Sequence, residues 1–188
     1  MDNINASTVP EWNCSALLRV AGTVDDSVVD GDGLRFAIFV QGCPRRCRGC
    51  QNPETHDFNG GYLTSTDELL AEIKKNPLLT GVTFSGGEPF AQPGPLACLA
   101  QACHALGLDV WSYTGYTLEA LQHKHDPKID SLLAEIDVLV DGDYQEELRD
   151  LTLCFRGSRN QRVIDMQKTR KQRRIVLLYN DGKDAQSA

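Results

Sequence analysis

Three of the chain's seven cysteines fall in one short stretch, Cys43-Pro44-Arg45-Arg46-Cys47-Arg48-Gly49-Cys50. Sulfurs three and two residues apart on a loop can turn onto one soft metal centre, whereas a disulfide inside so tight a loop would be strained. Two kinds of centre meet that description. Cys43, Cys47 and Cys50 together with His56 make a Cys₃His zinc set of tetrahedral type. The three cysteines alone would hold a cubane iron–sulfur cluster and leave one iron open to a substrate, while a fourth cysteine would close the cluster for electron transfer only. Ligand chemistry ranks the cluster first, zinc second and unligated thiols last. The spacing by itself leaves all three standing.

A second candidate is Ser85-Gly86-Gly87-Glu88-Pro89. Paired glycines let a backbone approach a ligand closely, and the acid beside them can accept a bond from an ammonium group. In isolation the same five residues are an ordinary turn. Ser112, Tyr113 and Thr114 offer hydroxyls at a strand end, and Arg156-Gly157-Ser158 with Asn160-Gln161-Arg162 forms a polar turn before an expected strand at 162–165. His104, His123 and His125 have no nameable partners, and Cys14, Cys98, Cys103 and Cys154 lie outside the cysteine motif. Buried thiols are the expectation for Cys98 and Cys103, which fall in a helical run.

The elements that must position these groups alternate. A weak strand is expected at Leu17–Thr23, then Asp30-Gly31-Asp32-Gly33 turns the chain into an apolar strand, Leu34–Val40, patterned for burial on both faces. Ser65 and Glu68 form a capping box that opens a helix, which Asn76-Pro77 ends. A short strand at Gly81–Phe84 leads to a helix begun by Pro93 or Pro95 and closed by Gly107, then to the strand Leu108–Tyr113. Helical runs at Thr117–Gln122 and Ile129–Glu135, separated by Pro127, precede an apolar strand at Ile136–Val140. Strands separated by helices predict right-handed βαβ units and an α/β fold with a mostly parallel sheet. Eight strands would need about 250 residues, so 188 give a partial, open barrel in a single domain, its site at the C-terminal strand ends. The cysteine loop, residues 85–89, residues 113–115 and Asp141-Gly142 all follow strands and share that rim. Residues 1–15 read as a loose arm, 16–166 as the barrel domain and 167–188 as a basic C-terminal segment.

With 41% apolar and 24% charged residues the chain falls in the soluble globular class, and no apolar run nears the roughly 20 residues of a membrane span. Met1–Glu11 lacks the basic start and apolar core of a secretory signal, which predicts a cytoplasmic protein. A formal net charge of -7 disfavours nucleic acid as a partner. The run Lys168, Arg170, Lys171, Arg173, Arg174 reads first as a solvated face and second as a dock for an acidic patch.

The spacing C-x₃-C-x₂-C after a strand resembles the signature of radical S-adenosylmethionine (SAM) enzymes. The words around it narrow the likeness. Phe39-Val40-Gln41-Gly42-Cys43, Gly49-Cys50-Gln51-Asn52-Pro53-Glu54-Thr55, Trp111-Ser112-Tyr113-Thr114-Gly115-Tyr116 and the segments at 156–158 and 160–162 resemble the activating proteins of anaerobic ribonucleoside-triphosphate reductases. The resemblance spans roughly Gly31 to Asp165. It implies a 4Fe-4S cluster on Cys43, Cys47 and Cys50, with SAM chelating the unligated iron. It implies that Gly86, Gly87 and Glu88 meet the amino group of SAM. Gly49 stands where many radical SAM enzymes carry an aromatic residue; the activating-protein family also has glycine there, so backbone at Gly49, Cys50 and Gln51 is expected to meet the adenine instead. Ser112, Tyr113 and Thr114 are expected near the ribose or carboxylate.

The implied reaction is one-electron cleavage of SAM to a 5′-deoxyadenosyl radical, which takes hydrogen from a glycine Cα. No side chain acts as general acid or base, because the cofactors carry the chemistry. The implied partners are the large catalytic subunit of the reductase and an external electron donor such as a flavodoxin. Two other readings remain open: an activase for another glycyl radical enzyme, of the pyruvate formate-lyase type, and a zinc-stabilised interaction module.

Overall fold

Phe36, Ile38 and Val40 alternate with Arg35, Ala37 and Phe39, and all of these but Phe39 are buried. The strand they form lies near the middle of a sheet covered on both faces. The computed structural model describes residues 14–179. Within them, β1 (Leu17–Ser27), β2 (Arg35–Val40), β3 (Tyr62–Ser65), β4 (Gly81–Gly86), β5 (Asp109–Tyr113), β6 (Val138–Asp141) and β7 (Arg162–Asp165) make one sheet in the order β3-β1-β2-β4-β5-β6-β7. The central strands β2, β4, β5 and β6 are parallel, with Val40 opposite Gly86 and Tyr113 opposite Val140. Antiparallel strands flank them on each side: β1 and β3 beside β2, and β7 beside β6. The fold is thus mixed α/β with a parallel centre, as the strand–helix alternation predicts.

The helices are α1 (Thr66–Ile73), α2 (Pro93–Ala105), α3 (Leu118–Gln122), α4 (Pro127–Glu135) and α5 (Met166–Gln172). The capping box of α1 forms as expected, Glu68 N–H donating to Ser65 Oγ at 3.1 Å while Ser65 N–H donates to the Glu68 carboxylate at 2.8 Å. Pro127 begins α4 rather than interrupting it: Asp126 accepts from Lys128 N–H as the cap, and proline's missing donor is harmless at the first helical position. Leu69, Ile73, Leu96, Leu99, Leu132 and Leu133 from these helices close over Phe36, Ile38, Val82, Phe84, Val110 and Leu139 of the sheet. Burying each such side chain contributes roughly 2 kcal/mol relative to leaving it in water.

The other face is different. Trp111, Val140 and Val163 form a smaller cluster with Tyr113, Phe155 and Tyr179. Arg35 is fully buried beside it, donating to Thr83 Oγ1 at 2.6 Å, Val82 O at 2.7 Å and Asp109 Oδ1 at 2.6 Å, with its guanidinium 5.2 Å from the Trp111 ring. A buried cation is tolerated only when its donors are met, and here they tie three neighbouring strands together.

Three local features depart from the sequence reading. The edge strand β3 has four residues, of which Tyr62 and Leu63 are exposed, so it carries no apolar alternation. The run beginning at Lys168 is partly the helix α5, capped by Asp165, and Arg170 Nη1 donates to Leu133 O and Ile136 O, each at 3.1 Å. That arginine closes the C-terminal end of α4. Cys14 and Cys98, expected without chemistry, are joined by a disulfide with S–S 2.10 Å, which ties the start of the described chain to α2. Of the expected arm, residues 1–13 lie outside the described residues.

Candidate active site

Each strand of the parallel centre delivers part of the site at its C-terminal end. After β2 the backbone turns at Gly42, φ +95°, whose N–H donates to Thr55 O at 2.8 Å. Cys43 follows, its N–H on His56 O at 3.3 Å. The loop then winds through Arg46, φ +48°, and Gly49, φ +69°, and Cys50 N–H donates to Cys47 O at 3.2 Å. These turns leave Cys43, Cys47 and Cys50 as free thiols on the wall of one cavity of about 900 Å³. Burial pushes the Cys47 thiol up, against the pull of the Tyr144 backbone N–H and the nearby Arg45 charge.

The Gly86-Gly87-Glu88 turn is built directly against that loop. Gly87 N–H donates to Val40 O at 2.8 Å and Glu88 N–H to Gly42 O at 2.9 Å. A Cβ on Gly87 would lie 2.5 Å from Gly42 O, so only glycine permits this approach. Glu88 is 1% exposed. Its Oε1 accepts from Phe90 N–H at 3.0 Å and the Thr114 hydroxyl at 2.9 Å, and its Oε2 from Gly115 N–H at 2.9 Å. Burial raises its pKa, and these three bonds oppose the rise. The acid expected to meet an ammonium group thus already joins the end of β4 to the end of β5.

The remaining expected residues divide. Gln51, Tyr113 and Thr114 line the same cavity as the cysteines and Gly86–Glu88, and His56 does too. Ser112 points elsewhere: it is fully buried, its hydroxyl 3.3 Å from Tyr113 O. Gly49 is off the cavity wall, its open side filled by Glu146, whose Cδ lies 2.9 Å from where a Cβ would stand. Phe39, Ser85 and Asn52, which belong to the quoted motifs but were given no role, also line the cavity, as does Tyr144, which was not singled out. Tyr144 follows the end of β6 by three residues, so the strand-end rule applied one turn further would have reached it.

The polar segment at 156–162 closes one side. Gln161 Oε1 accepts from Gly157 N–H at 2.9 Å and Ser158 N–H at 3.2 Å, while its Nε2 donates to Gly142 O at 3.1 Å. Arg156, Gly157 and Gln161 face the cavity.

The groups present fit an iron–sulfur centre with a small ligand beside it. Among the described residues, no three His, Cys, Asp or Glu side chains converge as donors for a single ion. Three free thiols on one cavity wall suit a thiolate-bound centre, and the bare glycine backbone beside them leaves room for a ligand.

Comparison with known proteins agrees with this chemistry. A family model described as a 4Fe-4S single cluster domain matches residues 29–164. The anaerobic ribonucleoside-triphosphate reductase-activating protein of Vibrio cholerae is 36% identical over 143 residues, 71% of this chain and 89% of that protein. The chain belongs to the anaerobic ribonucleoside-triphosphate reductase-activating protein family. The protein of that name in Salmonella typhimurium is 36% identical over 144 residues, covering 72% of this chain and 91% of its own length, and the one in enterobacteria phage T4 is 33% identical over 142 residues, covering 72% and 86%. A crystal structure of QueE from Escherichia coli aligns with TM-score 0.43 and 19% identity over 54% of this chain and 53% of that one.

In this family member the rim beside the cavity is held by an ion-pair network centred on Arg162. Its Nε donates to Asp141 Oδ1 at 2.8 Å, its Nη2 to Asp141 Oδ2, and its two terminal nitrogens grip Glu119 at 3.1 and 2.8 Å. Asp141 is buried and also accepts from Leu118 N–H at 2.7 Å, so α3, β6 and β7 meet at one carboxylate. Hydrogen bonding to Arg162 lowers the Glu119 pKa from 4.5 to about 2. A depressed carboxyl stabilises the fold above its unfolded pKa and loses that contribution as pH falls through the folded value. Glu119 is half-exposed, which holds its share to below about 1 kcal/mol. Wild type is therefore expected to exceed Glu119→Gln in urea midpoint at pH 7, and the gap to close as pH drops from about 4.5 toward about 2. A gap that persists unchanged at the acid end would contradict this assignment.

Proposed function

We propose that this chain is a radical SAM activase that generates a glycyl radical on the catalytic subunit of an anaerobic ribonucleoside-triphosphate reductase. The observation that carries the reading is the junction at Gly42: the turn that presents Cys43 also accepts from Glu88 N–H, so three free thiols and a bare diglycine backbone share one cavity. Membership of the activating-protein family supplies the direction of the chemistry.

In this reading Cys43, Cys47 and Cys50 hold a 4Fe-4S cluster, and the backbone of Gly86 and Gly87 lies along the methionine end of SAM. Cys50 and Gln51, with Tyr113 and Thr114, form the remaining walls. When bound, the reduced cluster and SAM supply one-electron cleavage of the sulfonium and removal of hydrogen from a glycine Cα. The chain's own work is placement and exclusion of water. Glu88 keeps Gly87 and Gly115 at fixed separation through its three accepted bonds, and Arg45, 5.0 Å from the Tyr116 ring and 3.6 Å from Asp143, braces the cysteine loop against the loop after β6. Residues 16–166 act as one partial barrel that opens at the strand ends. The electron comes from an external donor such as a flavodoxin, and the protein works in the cytoplasm. Among the described residues no helix is long and apolar enough to cross a membrane.

The test is anaerobic reconstitution with iron and sulfide, then reduction in the presence of SAM. Release of 5′-deoxyadenosine is expected, and a glycyl radical signal once the reductase subunit is added. Colourless protein holding stoichiometric zinc and leaving SAM intact would sink the reading.

A further inference from the structure

Exposed apolar side chains scattered over a surface need no explanation, but four of them line the edge of this cavity. Val24, Val28 and Val29, on and after the end of β1, are 42%, 67% and 73% exposed, and Leu151, in the loop between β6 and β7, is 77% exposed; all four border the cavity whose wall carries the cysteines. Neither lip is a loose segment. Val29 N–H donates to Ser27 Oγ at 3.3 Å, Ser27 Oγ to Asp30 Oδ2 at 2.5 Å, and the Thr83 hydroxyl to Asp30 O at 2.8 Å, which anchors the valine turn on the sheet. Leu151 sits in a turn closed by Asp150 N–H on Gly157 O at 3.2 Å, Arg159 N–H on Leu148 O at 2.9 Å and Thr152 N–H on Asp150 Oδ1 at 3.0 Å. These side chains are held toward water by ordered backbone. Asp25 and Asp26 stand exposed beside the valines.

We infer that Val24, Val28, Val29 and Leu151 form a docking collar for the segment of the reductase subunit that carries the target glycine. The inference rests on the function proposed above. A glycine Cα inside a protein can approach SAM held in this cavity only if its own chain enters the mouth, and the residues flanking that glycine must then lie on the rim. An apolar rim fits apolar flanking residues, and Asp25 and Asp26 call for a basic side chain at one end of the segment. The occupant is thus an extended, apolar, glycine-bearing stretch with a cation beside it.

The Val29→Asp/Leu151→Asp double variant tests this. Both positions are on the surface, so the fold is expected to match wild type by far-UV circular dichroism. Affinity for the purified reductase catalytic subunit, measured by anaerobic titration with both the cluster-free and the loaded protein, is expected to fall roughly tenfold or more, the loss typical of disrupted central apolar contacts. The yield of glycyl radical should fall with it. Wild-type affinity in the double variant overturns the collar, as does a variant that loses only self-association while binding the subunit normally. Wild-type protein that never releases 5′-deoxyadenosine overturns the underlying function instead, a result separable from either of these.

Discussion

Replacing Cys47 by alanine is expected to reduce 5′-deoxyadenosine release to background and to leave the reconstituted protein without the visible absorbance of an iron–sulfur cluster. No other sulfur can take its place. Cys103 is buried in α2, Cys14 and Cys98 are bonded to each other, and Cys154 is off the cavity wall. Burial raises the pKa of the Cys103 thiol to about 12, and its side chain is not on the cavity wall. The fold should survive the change, because Cys47 is only half-buried and belongs to no core cluster. Far-UV circular dichroism should therefore match wild type while iron, sulfide and SAM cleavage all collapse. Full cluster loading and SAM cleavage in Cys47→Ala would mean that the three-cysteine assignment is wrong.

Gly86→Ala should instead act on the fold, and the site should fail with it. Gly86 has φ +91°, where an L side chain is strained, and its Cβ would lie 2.6 Å from Phe39 Cα and 2.7 Å from Val40 N. Those are backbone atoms of the adjacent parallel strand and cannot swing aside. Strain and collision together should cost roughly 2–5 kcal/mol, a fall in Tm on the order of 10 °C for a chain of this size. Separating β4 from β2 also draws Gly87 away from Gly42, so apparent SAM affinity should weaken along with stability. Gly107→Ala is the control: φ there is +78°, but nothing lies within 4 Å of the added carbon, so only the conformational cost of about 1 kcal/mol is expected. Equal Tm values for the two variants would show that the close approach of β2 and β4 is not what requires glycine at 86.

Both arguments start from features that are local in the chain. The order of strands and helices was readable because burial imposes periods of two and about 3.6 on neighbouring residues, and because caps such as Ser65 with Glu68 and Pro93 at a helix start act within one turn. Strand-end placement then put the cysteine loop, Gly86–Gly87 and Thr114 on one rim by topology alone. Short or exposed elements escaped, as β3 did, since a four-residue edge strand buries too little to leave a pattern.

Sequence by itself determined the parallel centre of the sheet, the three-thiol loop and the glycines that let a second loop approach it. Tertiary structure alone decided which side chains those loops lean on. Glu88 is 26 residues from Thr114, Arg162 is 43 from Glu119, Arg170 is 37 from Leu133, and Cys14 is 84 from Cys98. Hydrogen bonds, ion pairs and the disulfide between such residues depend on distances that only the packed sheet brings within reach. The same packing removed Ser112 and Gly49 from the cavity and left Val28, Val29 and Leu151 facing water at its edge. A residue's type states what it can bond, and its neighbours across the fold state whether that capacity is already used.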